Sequence, residues 1–302
     1  MRVEQVERRS LKQLCSLFGY SRQAYYQGKH EDEKHVLCNE LIVQEVLQIR
    51  QKQPRAGARK LLVMMNAFLN HHAIGVGRDA FFDLLRDNRL LVRRRRRRRP
   101  VTTWSRHWFK KHPNLIKGFT PTGPNQLWVS DITYITMDDD FAYLSLITDA
   151  YSRKIVGFYF SKSLSAKGCV NALKMALENN PDRENLIHHS DRGSQYCCAD
   201  YISLLNKANI SISMTQSGDP LENAIAERVN GILKDELLES KYGSFKGAQE
   251  AIAVAVSIYN NQRLHLSIDM LTPAQAHHLS GKMKKHWKNY YIERKEAQVM
   301  KV

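Results

Sequence analysis

The chain of 302 residues lacks any long apolar run. Its longest, such as Leu61 to Met65 and Ala251 to Val256, fall far short of the ~20 residues needed to span a bilayer. The N-terminus, MRVEQVERRS, has no apolar stretch of signal-peptide type, so a cytoplasmic protein is expected. Cysteine is scarce: Cys15, Cys38, Cys169, Cys197 and Cys198 are the full set. No pair has C-x-x-C spacing, which excludes a zinc ribbon or a thioredoxin motif. Adjacent Cys197 and Cys198 are poorly placed for an ordinary disulfide, so reduced thiols are expected. No segment of 20 to 50 residues repeats, which excludes a solenoid. Acidic residues are the short side of the charge balance, 30 against 46 basic, for a net charge of +16. Hydrophobic residues at 43% and charged residues at 25% exclude a largely disordered chain.

The excess charge is unevenly placed. Residues 1–120 hold 26 basic and 10 acidic side chains, whereas residues 121–280 hold 13 basic and 18 acidic. A basic part joined to a slightly acidic part suggests a grip for a polyanion attached to a carboxylate-bearing core. In the basic part, SLKQLCSLFGYSRQAYYQ predicts two short helices around a turn at Gly19, with Ser21 as a cap. The outline fits a helix-turn-helix and equally a plain helical hairpin. A separate amphipathic helix is expected over residues 39–52. A second helical pair, near 57–69 and 78–88, carries Arg59, Lys60, Arg78 and Arg86 and is the better helix-turn-helix candidate. Arg93 to Arg99 are seven consecutive arginines closed by Pro100, followed by Trp104, Arg106, Trp108, Lys110 and Lys111. Seven adjacent like charges repel one another unless a polyanion neutralises them, and DNA phosphates do so with release of counterions. The other reading of the run is a solvated linker.

From residue 124 the period becomes alternating. Strands are expected at Leu127 to Thr136, Phe141 to Thr148 and Lys154 to Ser161, with a turn of aspartates, Met137 to Asp140, between the first two. A helix over Ser165 to Glu178, a strand over Asn185 to His189, a helix over Cys198 to Lys207 and a strand over Ile210 to Met214 follow. A turn near Gln216 to Pro220 leads to a long helix, Glu222 to Leu238, and another covers Phe245 to Tyr259. Three antiparallel strands followed by alternating helices and strands predict a ribonuclease H-like α/β fold. That fold is a mixed five-stranded sheet with flanking helices, here preceded by an all-α region.

Three carboxylates stand out within that order. Asp131 lies mid-strand in WVSDITYI, where an unpartnered charge is costly. Asp191 follows the fourth strand in HHSDRGSQY, and Glu227 sits on the long helix in ENAIAERVNGILK. In a ribonuclease H-like fold these places converge at one edge of the sheet. Lys234 follows Glu227 by seven residues, which on an α-helix puts both on one face, about two turns apart.

The strings NQLWVSDITYI, YLSLITDAYSRKIVGF, HHSDRGSQY, SMTQSGDPLENAIAERVNGILKDEL and YNNQRLHLSIDMLTPAQA carry a resemblance. The chain resembles insertion-sequence transposases with a retroviral-integrase-type core, most of all the second-reading-frame products of insertion sequence family three. The resemblance implies that Asp131, Asp191 and Glu227 are the catalytic and metal-holding acids and that Lys234 is the accompanying basic residue. It implies two Mg2+ ions, with Mn2+ able to replace them. It implies cleavage at element ends and strand transfer by attack of a 3′-hydroxyl, with no covalent enzyme–DNA intermediate. The implied partners are double-stranded DNA, a second copy of the chain on that DNA, and the upstream-frame DNA-binding product as a fusion or a companion. The setting is the bacterial cytoplasm, at the nucleoid, with no membrane. The expected organisation is a basic helical region over 1–110, an integrase-type core over 120–280 and a basic tail over 281–302. The chain departs from the retroviral pattern in having no paired histidines with a C-x-x-C for a zinc module.

Other candidates read as structural. Asp138 to Asp140 fit a hairpin turn, and Asp149 fits local support. His188 and His189 fit a supporting place beside Asp191, Glu222 is a weaker metal candidate, and Asn223 shares the face of Glu227. Two further functions stay open at this point: a nuclease that only hydrolyses, and a DNA-binding regulator on an inactive core.

Overall fold

The computed structural model describes residues 10–92, 108–138, 140–216 and 223–284. The arginine run, Asp139, Glu222 and residues 285–302 of the tail lie outside them. The chain divides into two compact units, Met1–Lys52 with Ala56–Arg93, and Gln53–Arg55 with Arg94–Val302.

The first unit is helical. α1 (Leu11–Leu17) starts with a capping box in which Ser10 and Gln13 satisfy each other's backbone N–H groups. Gly19 takes a left-handed φ of 72° in the turn that follows. α2 then runs unbroken over 31 residues, Arg22–Lys52, where the sequence suggested a short helix and a separate one from residue 39. Nothing between them stops a helix. Gly28 costs only propensity, and Lys29 pairs with Glu33 one turn on at 3.9 Å. α3 (Ala58–Met64) and α4 (Asn66–His71) divide the helix expected near 57–69 at Met65, and α5 (Arg78–Asp87) follows. Ile42 and Val46, Leu61, Met65 and Leu69, and Phe81 and Leu85 recur at four-residue spacing and form one buried core.

The second unit holds a five-stranded sheet. Its strands are β1 (Leu127–Thr136), β2 (Phe141–Asp149), β3 (Ile155–Ser161), β4 (Ile187–Ser190) and β5 (Ser211–Met214), in the order β3-β2-β1-β4-β5. β1, β2 and β3 pair antiparallel, whereas β1–β4 and β4–β5 pair parallel. The helices are α6 (Ala166–Asn179), α7 (Ser194–Cys197), α8 (Ala199–Lys207), α9 (Ala224–Ile232), α10 (Phe245–Asn261) and α11 (Pro273–Ala276). This is the ribonuclease H-like arrangement expected from the order of elements. β2 shows how the layers form: Leu144 and Leu146 join a core with Val229, Ile232, Ile252 and Tyr259, while Ile147 joins Leu173, Tyr201 and Leu205 in another. At Gly157 of β3 a Cβ would stand 2.2 Å from the carbonyl oxygen of Ala172, so only glycine lets α6 lie this close to the sheet.

A polar network fastens the end of the unit to its middle. The buried Asp149 carboxylate accepts from the backbone N–H and Oγ of Ser152 and from the backbone N–H of Asn125, each at 2.7 Å. Ser152 Oγ lies 2.9 Å from His277 Nδ1, and His277 Nε2 lies 3.3 Å from Asn180 Oδ1. Burial pushes the His277 pKa down to about 4, so the ring is neutral near pH 7.

Candidate active site

The site follows from how two strands part. β1 pairs with β4 only over Leu127–Val129, and β4 ends at Ser190. Beyond those points the two parallel strands separate at their carboxyl ends, where open α/β sheets form a crevice. Asp131, still paired with Leu146 of β2, lies two residues past the last β1 residue paired with β4, and Asp191 is the first residue after β4. Asp191 is turned back on its own loop: Gly193 N donates to its Oδ1 at 2.9 Å.

The third carboxylate comes from α9. Glu227 lies in the first turn of that helix with its side chain exposed. Two buried asparagines fasten α9 to β1. Asn223 Nδ2 donates to the Ser130 carbonyl at 3.0 Å, and Asn230 Nδ2 donates to Asp131 Oδ2 at 2.7 Å. The sequence reading named Asn223 but not Asn230. Its signal was a polar residue three positions after Glu227, in a stretch whose other inward positions are apolar.

Asp131 lies in the field of both Asp191 and Glu227. The Asp131 pKa is pushed up to about 7, first by burial and then by the negative charge of Asp191, with a smaller contribution from Glu227. Hydrogen bonds from Asn230 and from its neighbour Ile132 hold it down in part. The amide oxygens of Asn223 and Asn230 are buried without a hydrogen-bond donor. The site is thus rich in acceptor oxygens. Among the described residues, no three His, Cys, Asp or Glu side chains stand close enough to hold one ion together.

Lys234 is placed differently from the sequence expectation. The helix does not stay α to Leu238; after Ile232 it widens into a π turn, Leu233–Leu237. Lys234, the second residue of that turn, is therefore rotated by a fraction of a turn from its α-helical position. Lys234 Nζ lies 3.7 Å from the centre of the Tyr134 ring, three residues along β1 from Asp131. Lys241, beyond the turn, pairs with Asp138 at 3.0 Å on the surface, so Asp138 serves the hairpin end.

The two histidines are structural partners of the strands. His188 Nε2 lies 2.7 Å from Ser130 Oγ and 2.8 Å from the Tyr201 hydroxyl, and burial pushes its pKa down to about 3. His189 Nδ1 lies 2.8 Å from Ser213 Oγ.

Comparison with known families agrees with the fold. The family described as "Integrase core domain" matches residues 121–220, and a second family of the same description matches residues 208–273. "Insertion element IS600 uncharacterized 31 kDa protein" of Shigella sonnei is 36% identical over 269 residues, covering 86% of this chain and 96% of that one. "Transposase InsF for insertion sequence IS3A" of Escherichia coli (strain K12) is 33% identical over 194 residues, covering 63% of this chain and 67% of that one. Among solved structures, the HTLV-2 integrase catalytic core domain in complex with magnesium (trimeric form) is 19% identical, with a TM-score of 0.43. It covers 53% of this chain and 100% of that one. An integrase core of this topology defines a DDE-type polynucleotidyl transferase. Within that class, the chain belongs to the family-three insertion-sequence transposases. Among the described residues no helix is long and apolar enough to cross a membrane.

Proposed function

We propose that this transposase cuts and joins DNA in the crevice between the parting ends of β1 and β4, with Asp131, Asp191 and Glu227 as its catalytic acids. The observation that carries this is the charge environment of Asp131. Asp131 is held near pKa 7 by burial and by its two acidic neighbours, a cost that a bound cation removes. The donor set suits hard divalent ions such as Mg2+, or Mn2+ in its place. Asp131, Asp191 and Glu227 would hold the two ions between them. When bound, such a pair supplies a neutralising clamp for a phosphodiester and lowers the pKa of an attacking hydroxyl.

The chain's own residues divide the remaining work. Asn230 fixes the direction of the Asp131 carboxylate, and Asn223 fixes the helix that carries Glu227. Lys234 meets a DNA phosphate beside the acids. In the first step water attacks a phosphorus at the element end, and the 3′-oxygen leaves as a free hydroxyl. In the second, that 3′-hydroxyl attacks a target phosphodiester and displaces its 3′-oxygen, so each step makes and breaks one P–O bond. The basic helical region over 1–110, its helix-turn-helix candidates and the arginine run supply the grip on double-stranded DNA. A second copy of the chain works on the other element end, and the upstream-frame product supplies further end recognition. The reaction takes place in the cytoplasm, at the nucleoid.

The test incubates the full chain and Mg2+ with labelled duplexes from the ends of its element and a target duplex. Joined products are expected. Shortened strands alone would leave a hydrolytic nuclease, and a gel shift without cleavage would leave a DNA-binding regulator.

A further inference from the structure

The motif YNNQRLHLSIDMLTPAQA contributes no residue to the crevice as described. Its arginine nevertheless reaches the helix that builds it. Arg263, just past α10 and 3% exposed, donates from Nε to Glu236 Oε2 at 2.8 Å and from Nη2 to Glu236 Oε1 at 2.7 Å. A two-pronged pair of this kind fixes direction as well as distance. Glu236 belongs to the π turn Leu233–Leu237, and Lys234 is the second residue of that turn.

A π turn is a rare, locally unfavourable form that persists where its surroundings hold it. Contacts on several sides hold this one. Leu233 is buried in the core, its carbonyl accepts from Leu238 N at 2.8 Å, and Arg263 clamps Glu236 from outside the helix. The turn decides where Lys234 points, because an α continuation would rotate it about the helix axis and shift it away from its present place over Tyr134. With Arg263 buried and Glu236 only partly exposed, the pair is a poor device for stability alone, since apolar packing of the same volume does as well or better. Its geometric strictness is what apolar packing cannot supply.

We propose that Arg263 and Glu236 are positioning residues that lock the π turn and thereby aim Lys234 at the DNA phosphate beside Asp131 and Glu227. The proposal rests on the reading of Lys234 as the phosphate-contacting cation of the site.

The test is a double-mutant cycle on end joining, with the full chain, Mg2+ and labelled duplexes from its element's ends, followed in single turnover. Arg263→Lys keeps the charge but loses the fork. It should lower the joining rate about tenfold in the otherwise unchanged chain, as a misplaced reacting group does. In a Lys234→Ala chain the same change should cost less than about twofold, because the residue it positions is already gone. Gel-shift binding should stay unchanged in both. An equal fold-loss in the two backgrounds, which general loosening would also produce, overturns the positioning role while leaving Lys234 in the site. Normal joining by Lys234→Ala alone overturns the reading of Lys234, and this proposal with it.

Discussion

The two units bury different things. In the helical unit the described core is wholly apolar, from Ile42 to Leu85, and its charges stay on the surface. Every buried polar or charged side chain among the described residues belongs to the sheet unit, including Ser130, Asp149, His188, Asn223, Asn230 and Arg263. Burying such groups is costly unless each is paired, so a fold that carries them does so under constraint. Much of this buried set lies around the crevice: Ser130 and His188 on the parting strands, Asn223 and Asn230 on the helix of Glu227. A surface suffices to hold a polyanion. Directing carboxylates at one phosphorus requires an interior built for it.

The comparison can be broken most sharply at the acids. Asp131→Asn, Asp191→Asn and Glu227→Gln should each lower cleavage to below about 1% while leaving gel-shift binding nearly intact, since each removes a metal ligand without adding bulk. Substantial cleavage by any one of them removes that residue from the site. The grip is tested by replacing Arg93 to Arg99 with a neutral linker of the same length. If about four of these arginines meet phosphates, the slope of log affinity against log salt should fall by about 3 to 4. An unchanged slope would assign the run to a solvated linker. Next in size, Lys234→Ala should slow end processing and joining about tenfold with little change in binding, and Lys234→Arg should keep much of the activity.

A smaller effect falls on stability. The Asp131 carboxyl titrates at about 7 in the folded chain, against a reference value of 3.8. The folded state therefore holds an extra proton between these values, and metal-free stability falls as pH rises from about 4 through about 7. Asp131→Asn removes that slope. In chelator, thermal melts should show the variant more stable than the parent by about 1–2 kcal/mol near pH 8, with little gain near pH 4. Equal offsets at both pH values would refute the shift. The smallest effect is expected at Lys241. Its pair with Asp138 is exposed on both sides, so Lys241→Ala should change stability by less than about 1 kcal/mol and joining not at all.

Much of the sheet unit is legible in the sequence because its signals are local. Alternation marks β1 to β3, Asp131 stands out as a charge inside an apolar strand, and Asp191 follows a strand directly. What is not legible depends on distant partners. Nothing near Leu233 in sequence announces a π turn, because Arg263 stabilises it from a residue separation of 27. Asn230 is marked in the sequence only as a polar residue among apolar inward positions, and its partner appears when β1 brings Asp131 against it. The division of α3 from α4 at Met65 and the continuity of α2 were missed for a different reason. Capping and propensity signals there are weak, so packing decides the boundaries.

The network around Asp149 bears on the order in which the molecule takes shape. The carboxylate is enclosed by Asn125 and Ser152, but the hydroxyl of Ser152 meets a ring that comes 125 residues later, at His277. A ribosome must therefore release nearly the whole sheet unit before that enclosure can close. The helical unit, whose core spans Ile42 to Leu85, can settle while the rest is still being made. During synthesis the core of the helical unit can thus form well before the sheet unit closes.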